Sequence, residues 1–363
     1  MTNIYKNWLK TQALASVMQP LSVPIDSNAE DYLADQGYGK LGWRHLRRRV
    51  QFALSGQKKY LKNHLQTSWK RGLWIYKGIP QIGDALMDLA PRSLLQQQGF
   101  KIDLYTDPHL ASMFNDDPWF EQVYDNTQTI SSEIYDFVIV PSYKGRSLRH
   151  KSSLTPKLSW VSMHDFYTGP EFNRGQFATQ RIIDLLGCKA TQLEFVQHQQ
   201  QKLLLLATAP TEKRNFKKIA FALGGVDELR TYKHWLSLAT ALTDSGINIE
   251  FTLLGSANAL EAAQEITSRS SNALRINNHV NKTSITECRN LIHQQDLLIT
   301  ADGGLMHLGS TTGTKLVSLF HSTVKPHWRL SGKHLNAALQ STTSSVSDIP
   351  LSLITQKAID ALQ

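Results

Sequence analysis

With 363 residues and 41% apolar content, the chain can bury a large core and has the length for two domains. It has no run of about 18 apolar residues and no basic-then-apolar leader, so a soluble cytoplasmic protein is expected rather than a membrane-spanning or secreted one. Cys188 and Cys288 stand far apart without a CxxC partner, which argues against a disulfide framework or a zinc site, and the net charge of +9 calls for an anionic partner wherever it is concentrated.

The chain opens with a weakly patterned helix over Ile4 to Met18 and a loop carrying Pro20 and Pro24. Between Lys40 and Arg71 there are ten Lys or Arg residues, and no Asp or Glu occurs from Gln36 through Gly83. Trp43, Leu46, Val50, Ala53 and Leu54 share one helical face, and Leu61, Leu65 and Trp69 continue at four-residue spacing, so residues 1–70 read as an extension ending in a basic amphipathic helix pair. Three readings fit such a segment: docking on anionic lipid head groups, an apolar stripe packed on the domain with solvated charges, or a nucleic-acid footprint. No nucleic-acid motif accompanies it, and no nucleic-acid partner is expected.

The first strand of the main body is Leu73 to Tyr76, followed by KGIPQIGDALMDLAPRSLLQQQGF, in which Gly78 and Gly83 flank a tight turn and Ala85, Leu86, Leu89 and Leu94 mark the apolar side of a helix. Asp84 stands in that helix's first turn, where an acid serves either as a favourable partner of the helix dipole or as a functional group. Strands at Lys101–Thr106, Asp136–Pro141 and Lys157–Met163, with a helix at Thr179–Leu186, continue the rhythm of βαβ units and a parallel sheet. The run SYKGRSLRHKSSLTPK follows a strand end, so Lys144, Arg146, Arg149 and Lys151 are candidate contacts to an anionic group, with an ordinary solvated loop as the other reading.

A polar, Gln-rich stretch and Pro210 separate two patterned regions, giving domains over 71–205 and 206–345. The second begins with the buried strand Ile219–Leu223 and then Gly224 and Gly225, which let backbone amides approach a phosphate. A helix over Thr231–Leu242, a strand over Ile249–Leu254 and a helix over Thr283–His293 come next. DLLITADGGLMHLGSTTGTKLVSLFH is a strand, helix, strand unit in which Asp302 sits at a strand end. The amides of Gly303, Gly304 and Leu305 point out of the sheet top, and His307 follows about one helical turn later. That spacing fits a phosphate-sugar site or a turn and helix that only pack. Residues 346–363 have helical spacing and are expected to cross back to the first domain.

The last motif, with Asp302, Gly304 and His307, resembles that of the family 9 glycosyltransferases, the heptosyltransferases of lipopolysaccharide core assembly. Ile82-Gly83-Asp84-Ala85-Leu86 matches the family's Gly-Asp pair in the first loop, and TYKHW matches its basic residue and aromatic at Lys233. The chain departs from the family at Gly303, where Ser or Thr is usual, across Gly309 to Thr311, at Lys315 and at His321, where Gly is usual. The resemblance implies the GT-B fold, two Rossmann-like α/β domains. The N-terminal one takes an acceptor through Lys144, Arg146, Arg149 and Lys151. The C-terminal one takes a nucleotide-sugar donor through Gly224, Gly225, Lys233, Asp302, Gly303, Gly304, Leu305 and His307. It further implies Asp84 as general base of an inverting transfer to a lipopolysaccharide or lipooligosaccharide core, with ADP-heptose first among the donors. No cofactor and no metal is expected, since the chain lacks an Asp-x-Asp element. The acceptor would be an anionic glycolipid met at the cytoplasmic face of the inner membrane. A hexose or N-acetylhexosamine donor, a nucleotide-sugar epimerase or hydrolase, and a non-catalytic binder of anionic glycolipid stay open.

Overall fold

The computed structural model describes residues 2–18, 28–127, 130–188, 214–225, 227–269 and 274–363. The chain divides into two compact units, one of Met1–Pro80 with Met87–Gln200 and one of Gln81–Leu86 with Gln201–Gln363. The boundary expected near residue 205 and the loop with Pro20 and Pro24 lie outside the described residues.

The first unit begins with helices α1 (Thr2–Val17), α2 (Ala29–Gln36) and α3 (Tyr38–Leu54). Ala13, Val17, Leu33 and Leu41 form a small core among them. Helices α1 and α3 approach closely because Gly42 has no side chain: a Cβ there would come 2.5 Å from the Leu9 carbonyl oxygen. The expected second basic helix does not form. Gly56 takes φ +68°, which ends α3 beyond Ser55, and only a single 3-10 turn follows at Lys58–Tyr60. Leu61 then bridges to Trp160 in parallel, and Leu65 is buried, donating its amide to the Leu185 carbonyl at 2.7 Å.

Strand β1 (Arg71–Tyr76) is buried along Gly72–Tyr76, as an apolar run covered on both faces should be. It leads to α4 (Ile82–Asp88), α5 (Arg92–Gln97), β2 (Lys101–Thr106), α6 (Pro108–Phe114), β3 (Val123–Tyr124), β4 (Phe137–Val140), α7 (Gly145–Leu154), β5 (Ser159–Ser162) and α8 (Arg174–Leu186). The sheet order is β3-β2-β1-β4-β5, every pair parallel. The order reverses between β1 and β4, so a crevice opens beyond their carboxyl ends.

The second unit contains β6 (Lys217–Ala222), α9 (Trp235–Asp244), β7 (Ile249–Leu254), α10 (Leu260–Arg269), β8 (Arg275–Asn278), α11 (Ile285–His293), β9 (Leu297–Ala301), α12 (Gly304–Ser310), β10 (Lys315–Phe320), α13 (Lys333–Asn336), β11 (Ala338–Gln340) and α14 (Leu351–Leu362). Its sheet is also wholly parallel, in the order β11-β10-β9-β6-β7-β8, and reverses between β6 and β9. Two Rossmann-like units are therefore present. The expectation for the C-terminal helix needs correction: Ile354, Ala358 and Leu362 are buried in the second unit's own core, because the apolar stripe of α14 packs on α9, β9 and β10.

Candidate active site

In the second unit, the switch point between β6 and β9 is lined by a cavity of about 620 Å³. Its walls come from the ends of β6, β7 and β9, and they include Gly224, Gly225, Asp302, Gly303, Gly304 and Leu305. The glycines are needed at this spot. Gly224 adopts φ +80°, and a Cβ on it would press to 3.1 Å on both Ala259 and the Asn258 Oδ1. Asn258 is itself fixed, donating from Nδ2 to the Gly225 carbonyl at 2.7 Å and accepting from the Ser256 hydroxyl at 2.6 Å. Gly303 is extended (φ 174°) and precedes the first turn of α12, whose leading amides have no partner within the helix.

Asp302 is the charged centre of this crevice. It is 5% exposed, its Oδ2 lies 3.6 Å from Arg230 Nη1, and its Oδ1 lies 4.0 Å from Arg329 Nε. Neither approach is a hydrogen bond, and among the described residues the buried Oδ2 has no donor. A buried acceptor left open in this way is suited to a ligand hydroxyl. His321 stands nearby on the end of β10, accepting from or donating to the Thr323 hydroxyl through Nδ1 at 2.9 Å, while its Nε2 is buried without a partner among the described residues. Burial, and then the Arg230 charge, hold its imidazole below the ordinary histidine range against the pull of Asp302 and Asp227.

The segment Gln81–Leu86 belongs to this same unit. Ile82 lines the cavity, and Gly83 lies against the His307 ring, where a Cβ would reach Cδ2 at 2.4 Å. Asp84 is half-buried in the first turn of α4. The early Gly-Asp motif and the late Asp302–His307 motif are therefore brought together within one compact unit.

Lys233 stands elsewhere: exposed, it forms an ion pair with Glu228 at 2.7 Å and does not line the cavity. The cation that does line it is Arg230, three residues earlier on the same loop, which sequence reasoning passed over together with Arg329 and His321. The signal for Arg230 was its place in DELRTYKHW and that for His321 its departure from the family's glycine; nothing local marked Arg329.

The first unit carries its own smaller cavity, about 200 Å³, between the ends of β1 and β4 and the segment leading into α8. Asp88 lies at its base, accepting from Tyr76 Oη at 2.9 Å, His164 Nε2 at 3.3 Å, Arg174 Nε at 3.0 Å and Arg174 Nη2. Burial alone would raise the Asp88 carboxyl; Arg174 and His164 outweigh it and hold the group well below the carboxylate range. Lys144 and Arg146 line the cavity as well. Burial, then Arg48, Arg174 and Arg146, pull the Lys144 ammonium below its usual range, the mark of a cation-crowded pocket. Two other residues of that run depart from expectation. Arg149 faces a separate surface beside Leu54. Lys151 is fully buried, donating to the Gln57 Oε1 at 2.6 Å and the Pro156 carbonyl at 3.3 Å, so it is a structural lysine and not an acceptor contact.

The sequence profile of glycosyltransferase family 9 (heptosyltransferase) matches residues 171–348, while no curated protein matches the sequence. The fold is similar to that of a family 9 glycosyl transferase from Veillonella parvula DSM 2008 (15% identity, TM-score 0.62, 83% of this chain and 99% of that one). It is similar too to E. coli heptosyltransferase WaaC with ADP (16% identity, TM-score 0.61, 80% and 99%). E. coli ADP-heptose lps heptosyltransferase II gives 16% identity and a TM-score of 0.56, covering 80% and 98%. Residues 171–348 thus match the model of glycosyltransferase family 9 (heptosyltransferase), and the two Rossmann-like units share the fold of these enzymes.

Proposed function

We propose that this glycosyltransferase moves a sugar, with inversion, from a nucleoside diphosphate sugar to a lipopolysaccharide or lipooligosaccharide core acceptor at the cytoplasmic face of the inner membrane, and that ADP-heptose is the donor. The observation carrying this reading is the second unit's crevice, where Asp302 leaves a buried carboxylate oxygen open beside glycine-walled amides and the Ile82–Asp84 segment. The WaaC structure of similar fold holds ADP, and another WaaC structure holds ADP-2-deoxy-2-fluoro heptose, which favours an adenine nucleotide and a heptose.

In this mechanism the donor's diphosphate lies on the Gly224–Gly225 turn and the amides at Gly303 to Leu305, and Asp302 accepts hydrogen bonds from the transferred sugar. His307 donates to sugar or phosphate. Asp84 removes the proton from the acceptor hydroxyl as its oxygen attacks the anomeric carbon from the face opposite the leaving group. The bond from the anomeric carbon to the diphosphate oxygen breaks as the new one forms. Negative charge grows on the departing diphosphate, where fixed amides and the cations Arg230 and Lys233 stabilise it. Lys233 must first leave Glu228, which an exposed side chain does at little cost. The scheme calls for no metal. Lys144 and Arg146 in the first unit's cavity grip an anionic group of the acceptor.

The test is nucleoside diphosphate release from a panel of nucleotide sugars, with and without core glycolipid, by wild type and Asp84→Ala. Acceptor-dependent release by wild type, a loss of roughly a hundredfold or more in the variant, and retained nucleotide affinity are expected. Turnover of donor without acceptor would instead assign a hydrolase or epimerase, and no release from any donor would assign a binder. An active Asp84→Ala would remove the base from the mechanism.

A further inference from the structure

The apolar stripe of α3 does not dock on the rest of its unit. The buried face of the helix is Leu41, Gly42, His45 and Phe52, whereas Trp43 (52% exposed), Val50 (48%) and Leu54 (82%) recur at helical spacing on the opposite side. Helix α1 adds Ile4 (80% exposed), Tyr5 (47%) and Trp8 (41%), and it joins the same surface: the Tyr5 ring lies 6.4 Å from both Trp8 and Trp43. Six large apolar side chains on two adjoining helices, left in water, make a patch that asks for an occupant.

The charges say which. Lys40, Arg44 and Arg47 on α3, and Arg146 and Arg149 on α7 border this surface, and neither these two helices nor α1 carries an Asp or Glu. Arg47 and Lys40 line a shallow groove with Trp43 and Val50; Leu54 continues it into a second groove with Arg146 and Arg149. Aromatic rings, aliphatic tips and basic side chains on one face form the pattern of a helix lying in a bilayer interface. No helix among the described residues is long and apolar enough to cross a membrane, so the contact would be in-plane.

We propose that this face of α1 and α3, extended by Arg146 and Arg149, docks on the surface of an anionic phospholipid bilayer. Trp43, Val50, Leu54 and the α1 aromatics enter the head-group boundary while the basic residues meet lipid phosphates. Arg146 also lines the cavity of Asp88 and Lys144. On the transferase reading, which this last step rests on, the docked face thus leads to the mouth of the acceptor cavity, and a lipid-borne acceptor reaches it without leaving the membrane.

The experiment is flotation of the full-length protein with vesicles of phosphatidylcholine alone and of phosphatidylcholine with about one-third phosphatidylglycerol, neither containing glycolipid. Wild type is expected to float with the anionic vesicles only and to be released by salt. Lys40→Gln with Arg47→Gln should lower partitioning roughly thirtyfold, each basic residue near the surface counting about fivefold. Leu54→Ser should lower it roughly tenfold. These positions face solvent, so melting temperature and nucleoside diphosphate binding should stay at wild-type values, which separates failure of docking from failure of the transferase reading. The proposal is overturned by no flotation, by equal flotation on neutral vesicles, or by variants that float like wild type. A wild-type dimer that Leu54→Ser dissociates, without vesicle binding, would overturn it in favour of a second copy on the patch. Binding of duplex or single-stranded nucleic acid in place of vesicles would overturn it in favour of that polyanion.

Discussion

Replacing Arg230 with alanine tests the proposed donor crevice most directly. The guanidinium lines the cavity and sits 3.6 Å from the buried Asp302 carboxylate, close enough to feel its charge but too far for a hydrogen bond. Its hydrogen-bonding groups therefore stay available, and a diphosphate in the crevice would take them. A charge-assisted hydrogen bond of this kind contributes about 1.5–3 kcal/mol, so nucleoside diphosphate affinity should fall roughly ten- to a hundredfold. The fold should lose little: the Arg230 side chain is 37% exposed, and an ion pair so placed contributes about 1 kcal/mol or less after solvent screening. For a unit of this size that lowers the melting temperature by about 2–4 °C. Isothermal titration with nucleoside diphosphates and monophosphates reads the effect, because an alanine that only loosened the fold would weaken both classes alike. Diphosphate affinity equal to wild type would refute the role, and so would an equal loss for monophosphates.

Two further outcomes follow from the titratable groups. Asp88→Asn leaves Arg174 partly buried beside a neutral amide, which should cost about 3–5 kcal/mol and lower the first unit's melting temperature by roughly 6–20 °C in calorimetry. A smaller shift than about 3 °C would show that the Asp88 cluster serves the cavity and not the fold. The pH profile of stability should have two acid limbs. His45, His150, His321 and His334 are all held below 6.5 in the folded chain, so the unfolded chain binds protons first and stability falls as pH drops below that value. Asp88 adds a second loss below its ordinary 3.8, where the unfolded carboxyl protonates and the folded one does not. Melting midpoints flat from about pH 7.5 to pH 5 would contradict the histidine assignment.

How much of this was legible beforehand depended on whether the deciding contact was local. The strand runs Leu73–Tyr76 and Leu297–Ile299 appear in the structure because parallel strands are covered on both faces and read as unbroken apolar stretches. The turn at Gly224 was legible too, since left-handed backbone leaves its signature in the residue type. The second helix of the basic pair, beyond Leu54, was misread because Leu61, Leu65 and Trp69 repeat at a helical interval, yet Gly56 breaks the helix and Leu61 and Leu65 are claimed one at a time by Trp160 and Leu185. Periodicity records which residues seek burial, not what buries them. The same ambiguity hid the direction of α14, whose stripe fits either unit and lies in the second.

The site divides along the same line. Asp302, Gly304 and His307 lie within one short stretch, so their meeting is a property of one turn and could be read from spacing. Arg329 and His321 reach Asp302's surroundings from beyond β10, and no spacing rule connects them. Lys151 shows the opposite failure: a lysine in a basic run looks like a ligand grip until Gln57, ninety-four positions away, turns out to hold its ammonium in the interior. His321 is the most informative of these, because the family has glycine at that place. An imidazole there occupies buried space near the Asp302 carboxylate, with its Nε2 left without a partner among the described residues. On the proposed reading, in which Asp302 orients the sugar, an imidazole in place of glycine makes the surroundings of that carboxylate more crowded and more polar on the β10 side.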